Sequence, residues 1–243
     1  MSAKKLYDIL KVSDINWFNA AVNISLNGRY VFVENPKVAS STIKSRLHSN
    51  ELIGLRNMRV GPHPEITSSP MVKPYQLPVD QLCDILFGPD FYKFTFVRNP
   101  FERLLSCYLD KIVGSAPEKT QVDGYWTRTH GAAKENYSFS EFVEAVANTN
   151  DNARDKHWRT QCRVTMVGYI DYSFIGRFET LAQHLNQVQR VGRIDFRDVA
   201  EVSPHKTGAS TKLKEYYTPE IVEKVVDIYE PDFERFKYKR SVD

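Results

Sequence analysis

Cysteine is scarce in this sequence, and its three copies follow no cross-linking or metal-binding pattern. Cys83, Cys107 and Cys162 are widely spaced, odd in number and never part of a CxxC motif. This argues against a disulfide framework and against a zinc site. We therefore expect reduced, mostly buried thiols, which are typical of a cytosolic protein.

Long apolar runs and an excess of one charge are also missing. No run approaches the roughly 20 residues of a membrane span, and the N-terminal stretch MSAKKLYDILKVSDINWF lacks the continuous apolar segment of a secretory signal. The net charge is only +3, because Lys and Arg alternate with Asp and Glu, which does not favour nucleic-acid binding. We expect a cytoplasmic chain without a transmembrane segment or a nucleic-acid partner.

Strand-like and helix-like segments alternate along the 243 residues. The stretches RYVFVEN (29–35) and FYKFTFVRNP (91–100) are short and rich in β-branched and aromatic residues, as in buried strands. Each leads into a helix-like segment, and YIDYSFIGRFETLAQHLNQVQRV repeats the pattern. This alternation predicts an α/β fold with a central, mostly parallel sheet flanked by helices.

Several expected helix starts carry capping signals. Ser41 lies at the start of the helix after the first strand, where hydroxyl side chains are favoured. Pro100 suits the first position of the next helix. Ser138 and Glu141 have the spacing of a capping box.

The remaining segments are predicted from their prolines and polar residues. Pro219 opens a last helix, which should end before Pro231. Residues 54–89 contain many prolines and should be irregular apart from one helix near 79–86. The polar stretch 114–137 is predicted to be a loop or lid.

The turn after the first strand, in ENPKVASSTIK, has the chemistry of an anion site. A helix N-terminus offers unpaired N–H groups and partial positive charge, so the amides of residues 38–42 can wrap one phosphate. The side chains that can add to this cradle are those of Lys37, Ser40, Ser41 and Thr42. An ordinary N-cap explains the same hydroxyl cluster. The turn contains no glycine, and the P-loop patterns GxxxxGKS and GxxxxGKT are absent from the chain.

The turn after the second strand carries a second anion-binding group. Arg98 ends the strand, and a planar guanidinium suits a phosphate, although an Arg in this place is also common as an ion-pair partner. Ser106 lies off the apolar face of the following helix. Two such turns on successive strands indicate one ligand with two separated phosphates. A nucleoside-triphosphate enzyme fits less well, because Arg98 stands where an Asp would hold magnesium.

At these two turns the sequence resembles the carbohydrate sulfotransferases that use 3′-phosphoadenosine 5′-phosphosulfate (PAPS), in particular the branch with the chondroitin, dermatan and HNK-1 enzymes. NPKVASSTIK is similar to that family's 5′-phosphosulfate loop, and FTFVRNPFERLLSCY is similar to its 3′-phosphate motif. HWRTQC, YSFIGRFETL and YYTPEIVEKVVDIYEPDFERFKY resemble later family blocks. The resemblance implies a single sulfotransferase domain over residues 1–243 with a P-loop-like fold, in which 1–28 is an N-terminal extension and the core covers about 29–238.

The resemblance also implies a role for each matching residue. Lys37 would lie near the oxygen that bridges sulfur and the 5′-phosphate, and would neutralise charge as that bond breaks. The residues that would hold the 5′-phosphosulfate are Lys37, Val38, Ala39, Ser40, Ser41 and Thr42. Arg98 and Ser106 would hold the 3′-phosphate, whereas Arg103 is either part of that motif's ligand surface or a structural ion-pair partner. No metal is implied, because a Lys and a helix dipole offset the charge.

The segment SPHKTGASTK near the C-terminus adds two cofactor candidates. Lys206 and Thr207 would contact the nucleotide as a basic C-terminal loop does in related enzymes. An ordinary turn is the alternative interpretation.

Transfer to a hydroxyl needs a general base, and His is the natural candidate. His63, in GPHPEI between the two motifs, matches the place where related sulfotransferases carry their base, with Glu65 as the neighbouring alternative. His157, in KHW, matches a family block and is a catalytic, structural or acceptor-positioning residue. His48 and His184 lie in expected helices and should be surface residues.

The expected acceptor is a hydroxyl on a saccharide or glycoconjugate. Aromatic side chains suit sugar faces and Arg suits acidic glycans, while core positions are the plainer interpretation of the same residues. The candidates for an acceptor wall are Tyr125, Trp126, Arg128, Trp158 and Arg159. We therefore expect a sulfotransferase that works by in-line displacement. The alternatives are a nucleotide-dependent phosphotransferase and a non-catalytic module that binds a nucleotide or a sulfated glycan.

Overall fold

The computed structural model describes residues 2–52, 60–194 and 208–242. The strands are β1 Val22–Ser25, β2 Tyr30–Val33, β3 Tyr92–Val97 and β4 Phe174–Arg177. The helices are α1 Ser2–Val12, α2 Ile15–Ala21, α3 Ser40–Glu51, α4 Val79–Phe87, α5 Pro100–Cys107, α6 Lys119–His130, α7 Phe139–Ala147, α8 Gln161–Val164, α9 Leu181–Gly192, α10 Ala209–Tyr216, α11 Pro219–Ile228 and α12 Glu230–Phe236. A π-helical turn, Tyr108–Ile112, continues α5.

Within the described residues, four strands form one sheet in the order β1-β2-β3-β4. β1 pairs antiparallel with β2, whereas β2, β3 and β4 run parallel to one another. The α/β class and the mostly parallel sheet with helices between its strands are therefore confirmed. Residues 1–28, expected as an extension, contribute β1 to the sheet together with α1 and α2.

The chain divides into two compact units. The first contains the described residues of Met1–Val97 and Arg163–Pro204, and the second contains those of Arg98–Cys162 and His205–Asp243. The sheet belongs to the first unit. Helices α5, α6, α7, α10, α11 and α12 belong to the second.

Aromatic side chains of β2 and β3 form the centre of the first unit. Phe32, Phe94 and Phe96 are fully buried, and the ring centroids of Phe32 and Phe94 lie 5.2 Å apart. Gly176 of β4 packs against Phe96, because a Cβ atom there would lie 2.4 Å from the Phe96 ring. This packing fixes β2 and β3, from whose carboxyl ends the two predicted anion turns begin.

The second unit has its own apolar core, formed mainly by helices. Phe101 of α5 packs on Phe233 of α12 with 5.0 Å between the ring centroids, and Phe142 of α7 packs on Trp158 at 5.5 Å. The hydroxyl of Tyr217 donates to the carbonyl oxygen of Phe101 at 2.8 Å. These contacts hold α5, which carries the second motif.

The capping box at the start of α7 is confirmed, whereas the prediction of Ser41 as a cap is wrong, because the N-cap of α3 is Ala39 and no side chain caps this helix. The amide of Glu141 donates to Ser138 Oγ at 3.3 Å, and the amide of Ser138 donates to Glu141 Oε2 at 2.8 Å. α5 begins at Pro100, and α11 ends at Ile228, before Pro231.

The prediction of a loop or lid over residues 114–137 is wrong, because α6 lies within it. Val122, Tyr125 and Trp126 are buried and stand at helical spacing i, i+3 and i+4. This short apolar stripe was present in the sequence, but the polar residues around it obscured the helical period.

The cysteines match their expected state. Cys83 and Cys107 are buried, Cys162 is half-buried, and none of the three forms a disulfide. Among the helices of the described ranges, none combines the length and apolarity that a membrane crossing requires.

Candidate functional site

The turn after β2 leads into α3 through two left-handed residues, neither of which is glycine. Lys37 and Ala39 adopt left-handed backbone conformations, with φ of 69° and 62°. Residues held this way cost about 1–3 kcal/mol each and occur preferentially at ligand-binding sites. α3 begins at Ser40, directly after Ala39, and the first amides of a helix have no acceptor within it. The strained turn therefore presents a helix N-terminus at the carboxyl end of β2.

Polar contacts within the first unit hold this turn closed. The hydroxyl of Ser40 donates to the carbonyl oxygen of Asn35, and Asn35 Nδ2 donates to the carbonyl oxygen of Phe96 in β3 at 2.9 Å. Ser40 and Asn35 are buried. The Ser40 side chain thus stabilises the loop, and the Val38 side chain is fully buried in the core of the unit. Only the backbone groups of these two residues are therefore left to contact an anion.

His63 lies against the same turn, although 22 residues separate it from Ser41. His63 Nε2 is 2.8 Å from Ser41 Oγ, and His63 Nδ1 is 3.0 Å from Lys44 Nζ. An ammonium has only donors, so Nδ1 accepts from Lys44, and the proton of the neutral ring is on Nε2. His63 therefore donates to the Ser41 hydroxyl in this arrangement.

Lys44 and Glu34 form a buried ion pair that the sequence argument missed. Lys44 Nζ lies 2.7 Å from Glu34 Oε2, and both side chains are about nine-tenths buried. Lys73 is buried nearby and donates to Asn23 Oδ1 at 2.6 Å and to the Ala20 carbonyl at 3.0 Å. Burial lowers the pKa of Lys73 to about 8, with Glu34 opposing the shift. The only sequence signal was that Lys44 follows Ser41 by three residues and so shares its helix face.

His48 is also buried, which makes its prediction as a surface residue wrong. Its Nδ1 donates to the carbonyl oxygen of Gly61 at 3.0 Å, and its Nε2 is buried without a hydrogen-bond partner. The pKa of His48 is lowered to about 4, mainly by burial and also by the charges of Lys44 and Lys73, while the hydrogen bond to Gly61 opposes the shift. His184, the other helix histidine, is half-buried and accepts from the Arg177 amide at 2.7 Å.

The low pKa of His48 predicts a loss of stability in acid. His48 binds a proton near pH 6.5 in the unfolded chain but only near pH 4 in the folded chain. The free energy of unfolding should therefore fall by about 3 kcal/mol as the pH drops from 6.5 to 4. His48→Asn, which keeps a donor for Gly61 but does not titrate, should flatten this slope in urea titrations at pH 7, 5.5 and 4. Equal slopes in His48→Asn and the wild type would contradict the assignment.

In the second unit, Arg98 is buried and paired with a carboxylate from the next helix turn. Its Nε and Nη2 lie 3.2 and 3.0 Å from Glu102 Oε2, and the side chains of Arg98 and Glu102 are 7% and 15% exposed. Ser106 follows on the same helix and is buried. The second motif therefore keeps a guanidinium at the end of β3, together with a carboxylate that competes with any anion for it.

Arg103 has a structural role. It is buried, and its guanidinium donates to the carbonyl oxygens of Arg159 at 2.8 Å and Lys156 at 3.1 Å. His157 lies in the segment that Arg103 holds. Its Nδ1 is 2.6 Å from Asp155 Oδ1, a contact that orients the ring.

The proposed acceptor wall is wrong for its aromatic members. Tyr125, Trp126 and Trp158 are buried in the core of the second unit, and Arg159 donates to the carbonyl oxygens of Asn152 and Arg154. Two cofactor candidates, Lys206 and Thr207, lie outside the described residues. Within residues 2–52, 60–194 and 208–242, no group of three or more His, Cys, Asp and Glu is arranged to hold a metal ion.

Comparison with known proteins gives one family and several relatives. The model of a family described as "Sulfotransferase family" matches residues 24–239. Carbohydrate sulfotransferase 11 of Rattus norvegicus is 25% identical over 166 residues, which are 61% of this chain and 47% of the relative. Carbohydrate sulfotransferase 14 of Homo sapiens is 26% identical over 131 residues, 46% of this chain and 35% of the relative.

A third relative extends the same pattern. Carbohydrate sulfotransferase 12 of Xenopus laevis is 26% identical over 174 residues, 63% of this chain and 41% of the relative. The chain thus spans less than half the length of these curated relatives. No solved structure matches the chain significantly.

Proposed function

The chain belongs to the sulfotransferase family, and from this premise we propose that it transfers a sulfuryl group from PAPS to a hydroxyl on a carbohydrate acceptor. One observation carries the proposal: the glycine-free turn after β2 takes left-handed conformations at Lys37 and Ala39 and leads directly into α3. Such a turn suits a phosphate group. The names of the relatives, all carbohydrate sulfotransferases, support a saccharide acceptor.

We also propose that the fold is P-loop-like in the general sense that a strand–turn–helix unit holds a phosphate. β2, the turn at 34–39 and α3 form such a unit with a sequence unlike the usual P-loop. We propose that residues 1–243 form a single sulfotransferase domain. A cytoplasmic location and the lack of a metal requirement remain predictions.

The first motif is proposed to bind the 5′-phosphosulfate. PAPS supplies the activated sulfuryl group when bound. The amides at the start of α3 donate to the phosphate, with Ser41 and Thr42 adding hydroxyls, and Lys37 donates to the oxygen that bridges sulfur and phosphorus. As the bond between sulfur and that oxygen breaks, negative charge develops on the oxygen, and a preorganised ammonium stabilises it.

The second motif is proposed to bind the 3′-phosphate. Arg98 supplies a planar donor set, and Ser106 a hydroxyl. Glu102, which pairs with Arg98 at 3.0 Å, repels the same phosphate, so binding requires Arg98 to share its donors between the two anions. The motif therefore selects for a ligand that competes well with a carboxylate, as a dianionic phosphate does.

His63 is proposed as the base that takes the acceptor's proton while the new bond between oxygen and sulfur forms. His63 is exposed, and its hydrogen bond with the Ser41 hydroxyl holds it next to the first motif. Its basic lone pair, on Nδ1, is occupied by Lys44 at 3.0 Å, while Lys44 is held more closely by Glu34 at 2.7 Å. Proton acceptance at Nδ1 thus requires Lys44 to withdraw towards Glu34. His157 is the second histidine candidate, and Glu65, exposed near His63, is the alternative carboxylate base.

The test is transfer of radiolabelled sulfate from PAPS to a panel of neutral and acidic glycans. We expect product with at least one glycan and none when ATP with magnesium replaces PAPS. Phosphate transfer from ATP would overturn the proposal in favour of a phosphotransferase. Tight binding of PAPS without transfer to any glycan would instead favour a non-catalytic binding module.

The same assay separates the base candidates through matched variants. His63→Asn should lower turnover by about 10²–10⁴-fold, which is the usual contribution of a general base, while the KM for PAPS changes little. His157→Asn, whose ring is oriented by Asp155, is the matched variant and should retain turnover within a few-fold. The reverse ranking would move the role of base to His157, and equal retention in both would favour Glu65.

A further inference from the structure

Gln161 bonds both backbone polar groups of Arg98. Its Oε1 accepts from the Arg98 amide at 2.9 Å, and its Nε2 donates to the Arg98 carbonyl oxygen at 2.8 Å. The Gln161 side chain is fully buried, and 63 residues separate it from Arg98. A primary amide bound in this way replaces the peptide group of a neighbouring strand.

Such support matters at this position because Arg98 lies between two regular elements. β3 ends at Val97 and α5 begins at Pro100, a residue without an N–H group. Arg98 therefore belongs to neither the strand nor the helix. Two hydrogen bonds from one rigid amide restrict the φ and ψ angles of Arg98, and with them the direction in which its side chain leaves the backbone.

Asp232 in turn holds Gln161. Its two carboxylate oxygens accept from the amides of Gln161 and Cys162, each at 2.8 Å. Asp232 is 0% exposed. Burial raises the pKa of its carboxyl, and the two amide bonds oppose that shift, as expected for a carboxylate whose partners replace water. Asp232 therefore fixes the backbone from which the Gln161 side chain extends.

The segment before Gln161 is held from the same unit by other groups. Arg103 donates to the carbonyl oxygens of Lys156 and Arg159, and the Tyr229 hydroxyl donates to that of Trp158 at 2.5 Å. None of these three bonds involves Arg98. The contact from Gln161 is thus distinct from the general anchoring of the segment.

We propose that Gln161 and Asp232 are positioning residues that set Arg98 for the 3′-phosphate of the nucleotide. This inference rests on the proposed function, because it needs Arg98 to be the 3′-phosphate ligand. It gives a role to Gln161 in the HWRTQC motif and to Asp232 in the C-terminal block. Gln161 acts on Arg98 directly, and Asp232 acts through Gln161.

A merely structural role for Gln161 makes a different prediction from a positioning role. Loss of a hydrogen bond that is merely structural lowers the free energy of unfolding and weakens the binding of every nucleotide to the same degree. Loss of the correct position of Arg98 weakens the binding only of those nucleotides that carry a 3′-phosphate. The informative quantity is therefore the ratio of two dissociation constants, that of adenosine 5′-monophosphate divided by that of adenosine 3′,5′-bisphosphate.

The experiment measures both constants by titration calorimetry, well below the melting temperature of each variant. Gln161→Met, similar in length but without the amide, should lower the ratio by about tenfold, as expected when one to two hydrogen bonds no longer orient the ligand group. Tyr229→Phe, which removes the hydroxyl on Trp158 but leaves Arg98 untouched, is the matched control and should keep the wild-type ratio. Asp232→Asn keeps an acceptor for only one of the two amides that Asp232 holds, so its ratio should fall between those of Gln161→Met and the wild type.

The outcomes separate the inference from its premise. A wild-type ratio retained in Gln161→Met would overturn the positioning role while leaving the proposed function intact. If Gln161→Met does not fold, Asp232→Asn carries the same test, and an unchanged ratio in that variant would overturn the role. A wild type that binds the two nucleotides equally would remove Arg98 as the 3′-phosphate ligand, and both proposals would fall together.

Discussion

Replacing Lys37 with Met is expected to lower turnover with saturating PAPS by about 10²–10³-fold, the usual loss when one preorganised donor to a developing oxyanion is removed. Binding of adenosine 3′,5′-bisphosphate should weaken less than about tenfold, because that product carries no sulfuryl group and no bridging oxygen. The measurements are kcat in the sulfate-transfer assay and the dissociation constant of the bisphosphate by calorimetry. A split between kcat and binding is the signature of a group that acts mainly in the transition state.

Two controls separate the Lys37 ammonium from its unusual backbone. Lys37 has a φ of 69°, which glycine adopts without strain. Lys37→Gly should therefore lose turnover as the Met variant does, while its free energy of unfolding stays level or rises. Lys224→Met, on the exposed surface of α11, removes one positive charge elsewhere and should leave kcat unchanged. Turnover within threefold of the wild type in Lys37→Met would exclude the proposed role.

Replacing Arg98 with Met is expected to have two effects of different origin. Binding of adenosine 3′,5′-bisphosphate should weaken by about 10–100-fold, as expected for the loss of hydrogen bonds to a charged group. The fold should also be destabilised, by about 3–5 kcal/mol, because Glu102 would remain buried without its guanidinium partner. Calorimetry with the bisphosphate and urea titration measure the two effects independently.

The double variant Arg98→Met with Glu102→Gln separates these effects. Glu102 lies 3.0 Å from Arg98 and is 15% exposed, so making it neutral removes the uncompensated charge. Stability should then recover most of its loss, whereas bisphosphate affinity should remain low. Full recovery of affinity in the double variant would mean that Arg98 serves only to neutralise Glu102, and the 3′-phosphate assignment would fail.

The sequence predicted those parts of the fold that depend on neighbouring residues. The aromatic runs around Phe32 and Phe94 formed buried parallel strands, and the Ser138 and Glu141 spacing produced the expected capping box. Both turns follow their strands as predicted, since strand, turn and helix are continuous in the chain. α6 was missed because its apolar stripe, Val122 with Tyr125 and Trp126, is short and surrounded by polar residues.

By itself, then, the sequence determined the α/β pattern, the two turns and the family to which their motifs point, because each depends on residues that are close along the chain. Only the tertiary structure decided which distant side chains support those turns. In the folded chain Lys44 contacts both His63 and Glu34, and His48 is buried. Gln161 forms hydrogen bonds with Arg98, from which 63 positions separate it. Contacts of this kind depend on the path of the whole chain and on which polar groups need partners once water is excluded, and no local period or spacing encodes them.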